Sequence, residues 1–140
     1  MSSFQKQLLA SNYAAAQPSR ISEFVVADIS ARQLLLIFPL LGHLSFSEDP
    51  RWLTCIGPLF ISKKDCLQFG FNRHRLLQVL PSRRCNVVDI AERALMAGKS
   101  HTVVCATDSI SEQDLVRLEK AAALGQSRCL IIRSRSKNDQ

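Results

Sequence analysis

Short apolar runs without helical periodicity alternate along this chain with segments whose apolar residues recur every three or four positions. The runs "SEFVVAD" (22–28), "RWLTCIG" (51–57), "RLLQVL" (75–80), "HTVVCAT" (101–107) and "RCLIIRS" (128–134) are rich in β-branched and aliphatic residues and read as strands. Helical patterns separate them: "ARQLLLIFPLLGHL" (31–44), "KKDCLQF" (63–69), "VVDIAERALMAG" (87–98) and "EQDLVRLEKAAALG" (112–125). Val87, Ile90, Ala91, Ala94 and Leu95 line one face of the third of these, and Leu115, Leu118, Ala122 and Gly125 one face of the fourth. Each helix has a cap in the sequence: Ser30 with Gln33, Ser62 with Asp65, Asn86, and Ser111. Pro39 must kink the first helix or open the first turn of a second segment. Strands separated by helices pack as crossover units, so the pattern predicts an α/β domain with a mostly parallel sheet flanked by helices. That domain spans residues 21–134, after a flexible N-terminal arm (1–20, closed by Pro18) and before a charged tail (135–140).

Composition narrows the class. The longest apolar run, "LLLIFPLL" at 34–41, is far shorter than the ~20 residues a helix needs to cross a bilayer. The first twenty residues lack the apolar stretch of a secretory signal, so no membrane association and a cytoplasmic location are expected. Five cysteines at 55, 66, 85, 105 and 129 are odd in number and widely spaced, which suits neither a disulfide framework nor a zinc site. They read as free thiols packing as small hydrophobes.

The tripeptide Gly98-Lys99-Ser100 imitates the end of a phosphate-binding loop, G-x-x-x-x-G-K-[ST]. Arg93 occupies the place of the first glycine, and Gly98 follows a helix and precedes a strand. Phosphate binding needs the opposite order, a strand leading into a helix N-terminus. Gly98 reads instead as a helix C-cap, with Lys99 near the negative helix end. Asp28 and Asp108 close two strands where α/β sheets gather catalytic groups, yet no second group joins them and turn or cap duty is expected. His43, His74 and His101 have no metal-ligand spacing. The chain reads as neither an enzyme nor a cofactor or metal protein.

Charge points instead to contact. The net charge is +6, and residues 62–85 hold six basic residues (Lys63, Lys64, Arg73, Arg75, Arg83, Arg84) against Asp65 alone. Such a patch calls for an acidic partner, protein or nucleic acid. The candidate contact residues are Arg51 and Trp52 at a strand start, Leu59 and Phe60 in a loop past that strand's end, and Lys63 on the following helix. Phe71, Arg73 and Arg75 in "FGFNRHR" complete the set. Arginine forks pair with carboxylates, and apolar anchors belong at an interface centre. Nucleic acid is the rival partner, because arginine and aromatic side chains together can hold single strands. The low aromatic content, 6%, argues against it. Exposed sheet edges also make a homodimer a natural expectation.

The blocks "QLLLIFPLLGHLSFSEDPRWLTCIGP", "HRLLQVLP", "VVDIAERALMAGKSHTVV" and "LEKAAALGQSRCLIIRS", in that order and spacing, resemble the SulA family of bacterial cell-division inhibitors over residues 22–134. The resemblance implies a RecA-like α/β core lacking the phosphate-binding loop. It also implies a role in the DNA-damage (SOS) response through binding FtsZ, the acidic, tubulin-like division protein. In that family, binding stops FtsZ polymerisation and GTP hydrolysis, no septum forms, and the Lon protease removes the inhibitor. The alternative is a RecA-like DNA-binding accessory protein without ATPase activity.

Overall fold

The computed structural model describes residues 18–82 and 84–135. The expected arm up to residue 17, the tail from residue 136, and Arg83 lie outside the described residues. Five strands form one sheet: β1 (Ile21–Val26), β2 (Trp52–Ile56), β3 (Leu76–Val79), β4 (Ser100–Thr107) and β5 (Arg128–Ser134). Their order is β1-β5-β4-β2-β3 and every pairing is parallel. The sheet is therefore wholly parallel, with β1 and β3 as its two edges.

The helices are α1 (Ala31–Leu34), α2 (Phe38–Leu44), α3 (Lys63–Phe69), α4 (Val87–Ala97) and α5 (Glu112–Gly125). A 3₁₀ turn at Leu35–Ile37 divides α1 from α2, and Pro39 falls in the first turn of α2, where a missing N–H costs nothing. The caps form as their residue types require. Ser62 and Asp65 make a reciprocal capping box at α3, at 3.1 and 3.0 Å. Asn86 and Ser111 accept from Asp89 N and Asp114 N at 2.8 and 3.0 Å. Gly98 ends α4 in the left-handed conformation, φ 70°, which settles the Gly-Lys-Ser motif as a helix terminus. Two expected boundaries move. β1 stops at Val26, short of Asp28, and β3 begins at Leu76 because Arg73–Arg75 form a 3₁₀ turn capped by Asn72.

Alternation along the central strand splits the core in two. Val104 and Ala106 of β4 pack toward α1–α3, whereas Val103 and Cys105 pack toward α4 and α5. Fully burying such side chains stabilises the fold by about 1.5–3 kcal/mol each. Of the cysteines, Cys55, Cys66, Cys105 and Cys129 are buried and all five are free. Burial alone pushes the Cys55 thiol up to about 12. The Cys129 thiol is raised too, first by its hydrogen bond to Cys105 and then by burial. These are packing residues, not reactive ones.

Candidate partner-binding surface

The eight candidate residues separate into three groups. The first lies at the amino end of β2. The loop before it supplies Asp49, whose carboxylate accepts from Arg51 Nε at 3.0 Å and Nη2 at 2.8 Å. Arg51 Nη1 donates to the carbonyls of Gly98 and Gly125 at 3.2 Å each, and Nη2 donates to Gln126 O at 2.9 Å. Those carbonyls end α4 and α5, so one guanidinium satisfies the orphan acceptors and negative ends of two helices. Asp49 is correspondingly held at about 2, chiefly by its hydrogen bonds from Arg51. Every nitrogen of the Arg51 head group is used within the fold, so this candidate contact residue holds the strand start in place.

Trp52 follows, its backbone N–H donating to Lys99 O at 3.0 Å, and the residue is 38% exposed. Arg75 joins this end of the sheet, because its Nη1 donates to Pro50 O.

The second group corrects two expectations about exposure. Leu59 is 2% exposed and Phe71 7%. Both belong to the core packed by α1–α3. Gly57, at φ 113°, starts the turn after β2, and the chain then runs extended enough to alternate: Leu59 in, Phe60 out, Ile61 in. Gly70, at φ 71°, ends α3 and turns Phe71 back against Phe38, edge-on at 5.9 Å between ring centres. An aromatic between two exposed guanidinium groups is therefore absent at Phe71.

The third group is brought together. Phe60, 60% exposed, Lys63 and Arg73 ring a hollow of about 240 Å³ floored by Cys66, Leu76 and Gln78. The Gln78 amide fixes this wall. Its Oε1 accepts from Ile61 N at 2.7 Å and its Nε2 donates to Ile61 O at 2.8 Å. That clamp ties the loop to edge strand β3 and holds Phe60 outward. Phe60 also borders a groove of about 310 Å³ lined by Leu34, Leu35, Phe38 and Leu59. Leu36 and Leu67, on the helical segments packed against the same side of the sheet, are 71% and 81% exposed. Burial raises the Cys66 thiol, with Arg73 opposing the shift and Asp65 adding to it. Among the described residues the ion pairs involve Arg51, Arg117 and Arg133, not Lys63 or Arg73.

Sequence reasoning missed Leu36, Leu67 and Gln78. Leu36 is embedded in an unbroken leucine run, and only the 3₁₀ turn rotates it outward. Nothing in the sequence marks Gln78.

At the carboxyl ends of the strands, Asp108 uses its carbonyl to accept from Ser134 Oγ at 2.9 Å. Among the described residues no cluster of metal-ligating side chains occurs, and no helix is long and apolar enough to cross a membrane. Fold and surface together define a wholly parallel α/β domain that carries a basic, aromatic surface beside one edge strand.

The family model described as "Cell division inhibitor SulA" matches residues 19–129. The cell division inhibitor SulA of Pseudomonas aeruginosa is 34% identical over 118 residues, covering 84% of this chain and 73% of that protein. The SulA of Yersinia pestis (strain Pestoides F) is 30% identical over 114 residues, covering 81% and 67%. The crystal structure of SulA from P. aeruginosa superposes with a TM-score of 0.74 at 33% identity, covering 84% of this chain and all of that one. The chain belongs to the SulA family.

Proposed function

We propose that this chain is a cell-division inhibitor of the SOS response that binds FtsZ in the cytoplasm, blocks its polymerisation and GTPase activity, and so prevents septum formation. It acts by contact, without catalysis or a cofactor, and Lon ends its action by degradation. The observation that carries this reading is the set Phe60, Lys63 and Arg73 around one hollow whose own lining includes no acidic residue, in a member of the SulA family. An acidic protein face can place an apolar side chain beside Phe60 and carboxylates on the two cations. Phe60 then serves as the desolvated anchor and Arg73 as the fork that orients the partner. Lys63, a flexible point charge, mainly speeds encounter. Trp52 and Arg75 form the rim toward the amino end of β2.

The test is the GTP hydrolysis rate of purified FtsZ titrated with this protein and with Phe60→Ala and Arg73→Glu variants. The wild type should drive the rate toward zero near stoichiometry. Losing a desolvated charge pair costs about 2–5 kcal/mol, so Arg73→Glu should need at least about thirtyfold more protein. An unchanged rate at several-fold excess of wild type refutes the reading. In that case steeply salt-dependent binding to single-stranded DNA would favour the nucleic-acid alternative.

A further inference from the structure

Residue 78 breaks the pattern of its strand. On β3, Leu76 packs toward α1–α3 and Val79 toward α4 and α5, so alternation turns Gln78 to the same side as Leu76. An aliphatic side chain would suit that half-buried position, and a primary amide there costs free energy unless both of its ends are bonded. Both are, and to a single residue: Ile61 N donates to Gln78 Oε1 at 2.7 Å, and Gln78 Nε2 donates to Ile61 O at 2.8 Å. Among the described residues these are the only hydrogen bonds to the backbone of residues 58–61. The chain is next tied at Gly57, whose N–H donates to Val79 O at 3.3 Å, and at the Ser62–Asp65 capping box.

The segment between those ties has to be held in one orientation. Leu59, Phe60 and Ile61 are all large and apolar, so once the main chain is free to twist, apolar burial draws the Phe60 ring inward as well. Room for it lies alongside, in the groove of about 310 Å³ lined by Leu34, Leu35 and Phe38. Bonding both the N–H and the C=O of Ile61 fixes the rotation of the main chain there. That rotation decides which neighbouring side chains turn in and which turns out, as register does in a strand.

We propose that Gln78 is a positioning residue for the partner contact: its amide locks Ile61 and so presents Phe60 outward, preorganised for an apolar site on the acidic partner. This rests on the function proposed above, because it needs Phe60 as an anchor. Preorganisation acts on affinity directly, since apparent affinity falls in proportion to the share of molecules in the binding-competent conformer. Two neutral hydrogen bonds favour that conformer by roughly tenfold or more.

The test is inhibition of FtsZ GTPase by wild type, Gln78→Met, Phe60→Ala and the double variant, each titrated to half-inhibition and verified as folded by thermal unfolding. Methionine matches glutamine in length and supplies neither the donor nor a comparable acceptor. Gln78→Met should need about tenfold more protein than wild type. In the Phe60→Ala background the same change should shift half-inhibition by less than about twofold, because the ring it positions is gone. A merely structural role would weaken both backgrounds equally. Equal losses, or a Gln78→Met that inhibits like wild type, overturn the inference and leave the proposed function standing, whereas a wild type that never inhibits removes both. Hydrogen exchange on the free protein reads the lock without the partner: the Ile61 amide should be protected in wild type and exchange at least about tenfold faster in Gln78→Met. A wild-type Ile61 amide that exchanges freely overturns the lock, whether or not any variant folds.

Discussion

Replacing Gly125 by alanine sets two physical effects against each other. Gly125 is the last residue of α5, and by helix propensity alone alanine should stabilise it by up to about 1 kcal/mol. Conformational freedom does not explain this glycine, because the left-handed residue that ends the helix is Gln126, at φ 50°. Space does. A Cβ at 125 would stand 1.7 Å from Leu95 O, 2.9 Å from Leu95 C and 3.2 Å from Gly98 N. All three are backbone atoms of the end of α4, and none can rotate away. Restoring a contact distance of about 3.5 Å requires the two helix ends to part by nearly 2 Å. Overpacking of this kind costs about 1–3 kcal/mol. The same movement pulls Gly98 O and Gly125 O off Arg51, each now at 3.2 Å, and a lost charged hydrogen bond adds about 1.5–3 kcal/mol. Net of propensity, Gly125→Ala should destabilise by about 2–4 kcal/mol. At roughly 4 °C per kcal/mol for a domain of this size, the melting temperature should drop by about 10 °C. Thermal and urea unfolding followed by circular dichroism measure this directly. A melting temperature that rises would show that helix propensity governs the site and that the close approach of α4 and α5 does not exist.

Leu59→Ala should cost about 2–5 kcal/mol in urea unfolding because it empties a core position, while Phe60→Ala one residue on should stay within about 0.5 kcal/mol. Similar losses at both positions would contradict the in–out alternation of that loop. Burial holds the His101 imidazole below its ordinary value, against a smaller upward pull from Asp49. The unfolded chain therefore takes up this proton first. The contribution is fully present above the unfolded value of about 6.5 and is lost as pH falls through the lowered folded one. Stability measured against pH should decline on that acid side, less so in His101→Gln, and an identical slope in the two proteins would refute the assignment.

The helices and strands were readable because periodicity, caps and burial agree along most of the chain. β4 is the plainest case: "HTVVCAT" has no polar alternation, and it is the central strand, buried on both faces. The Gly-Lys-Ser tripeptide was equally decidable, since its position after a helix and before a strand fixes its geometry. The surface was harder for a physical reason: whether a loop residue points in or out depends on the turn before it. Gly57 and Gly70 set those turns and send Leu59 and Phe71 into the core, and neither direction follows from side-chain type. Arg51 shows the same limit from the opposite side. A lone arginine beside the only tryptophan suggests an interface, but its three carbonyl partners come from two helix ends more than forty residues away in sequence.

With order β1-β5-β4-β2-β3, the two edges stand four strand spacings apart, roughly 19 Å at about 4.8 Å each. One is basic and flanked by a clamped aromatic loop; the other is charge-balanced and exposes four consecutive residues, Ser22 to Val25. A surface that must attract an acidic partner cannot also be self-complementary, because its own positive charge repels a second copy. The proposed partner surface therefore belongs to the β3 edge alone. Arg73→Glu should accordingly weaken inhibition of FtsZ GTPase, whereas Arg20→Glu, a charge reversal beside the opposite edge, should leave it intact. If Arg20→Glu abolished inhibition as well, the partner's binding site would have to span both edges.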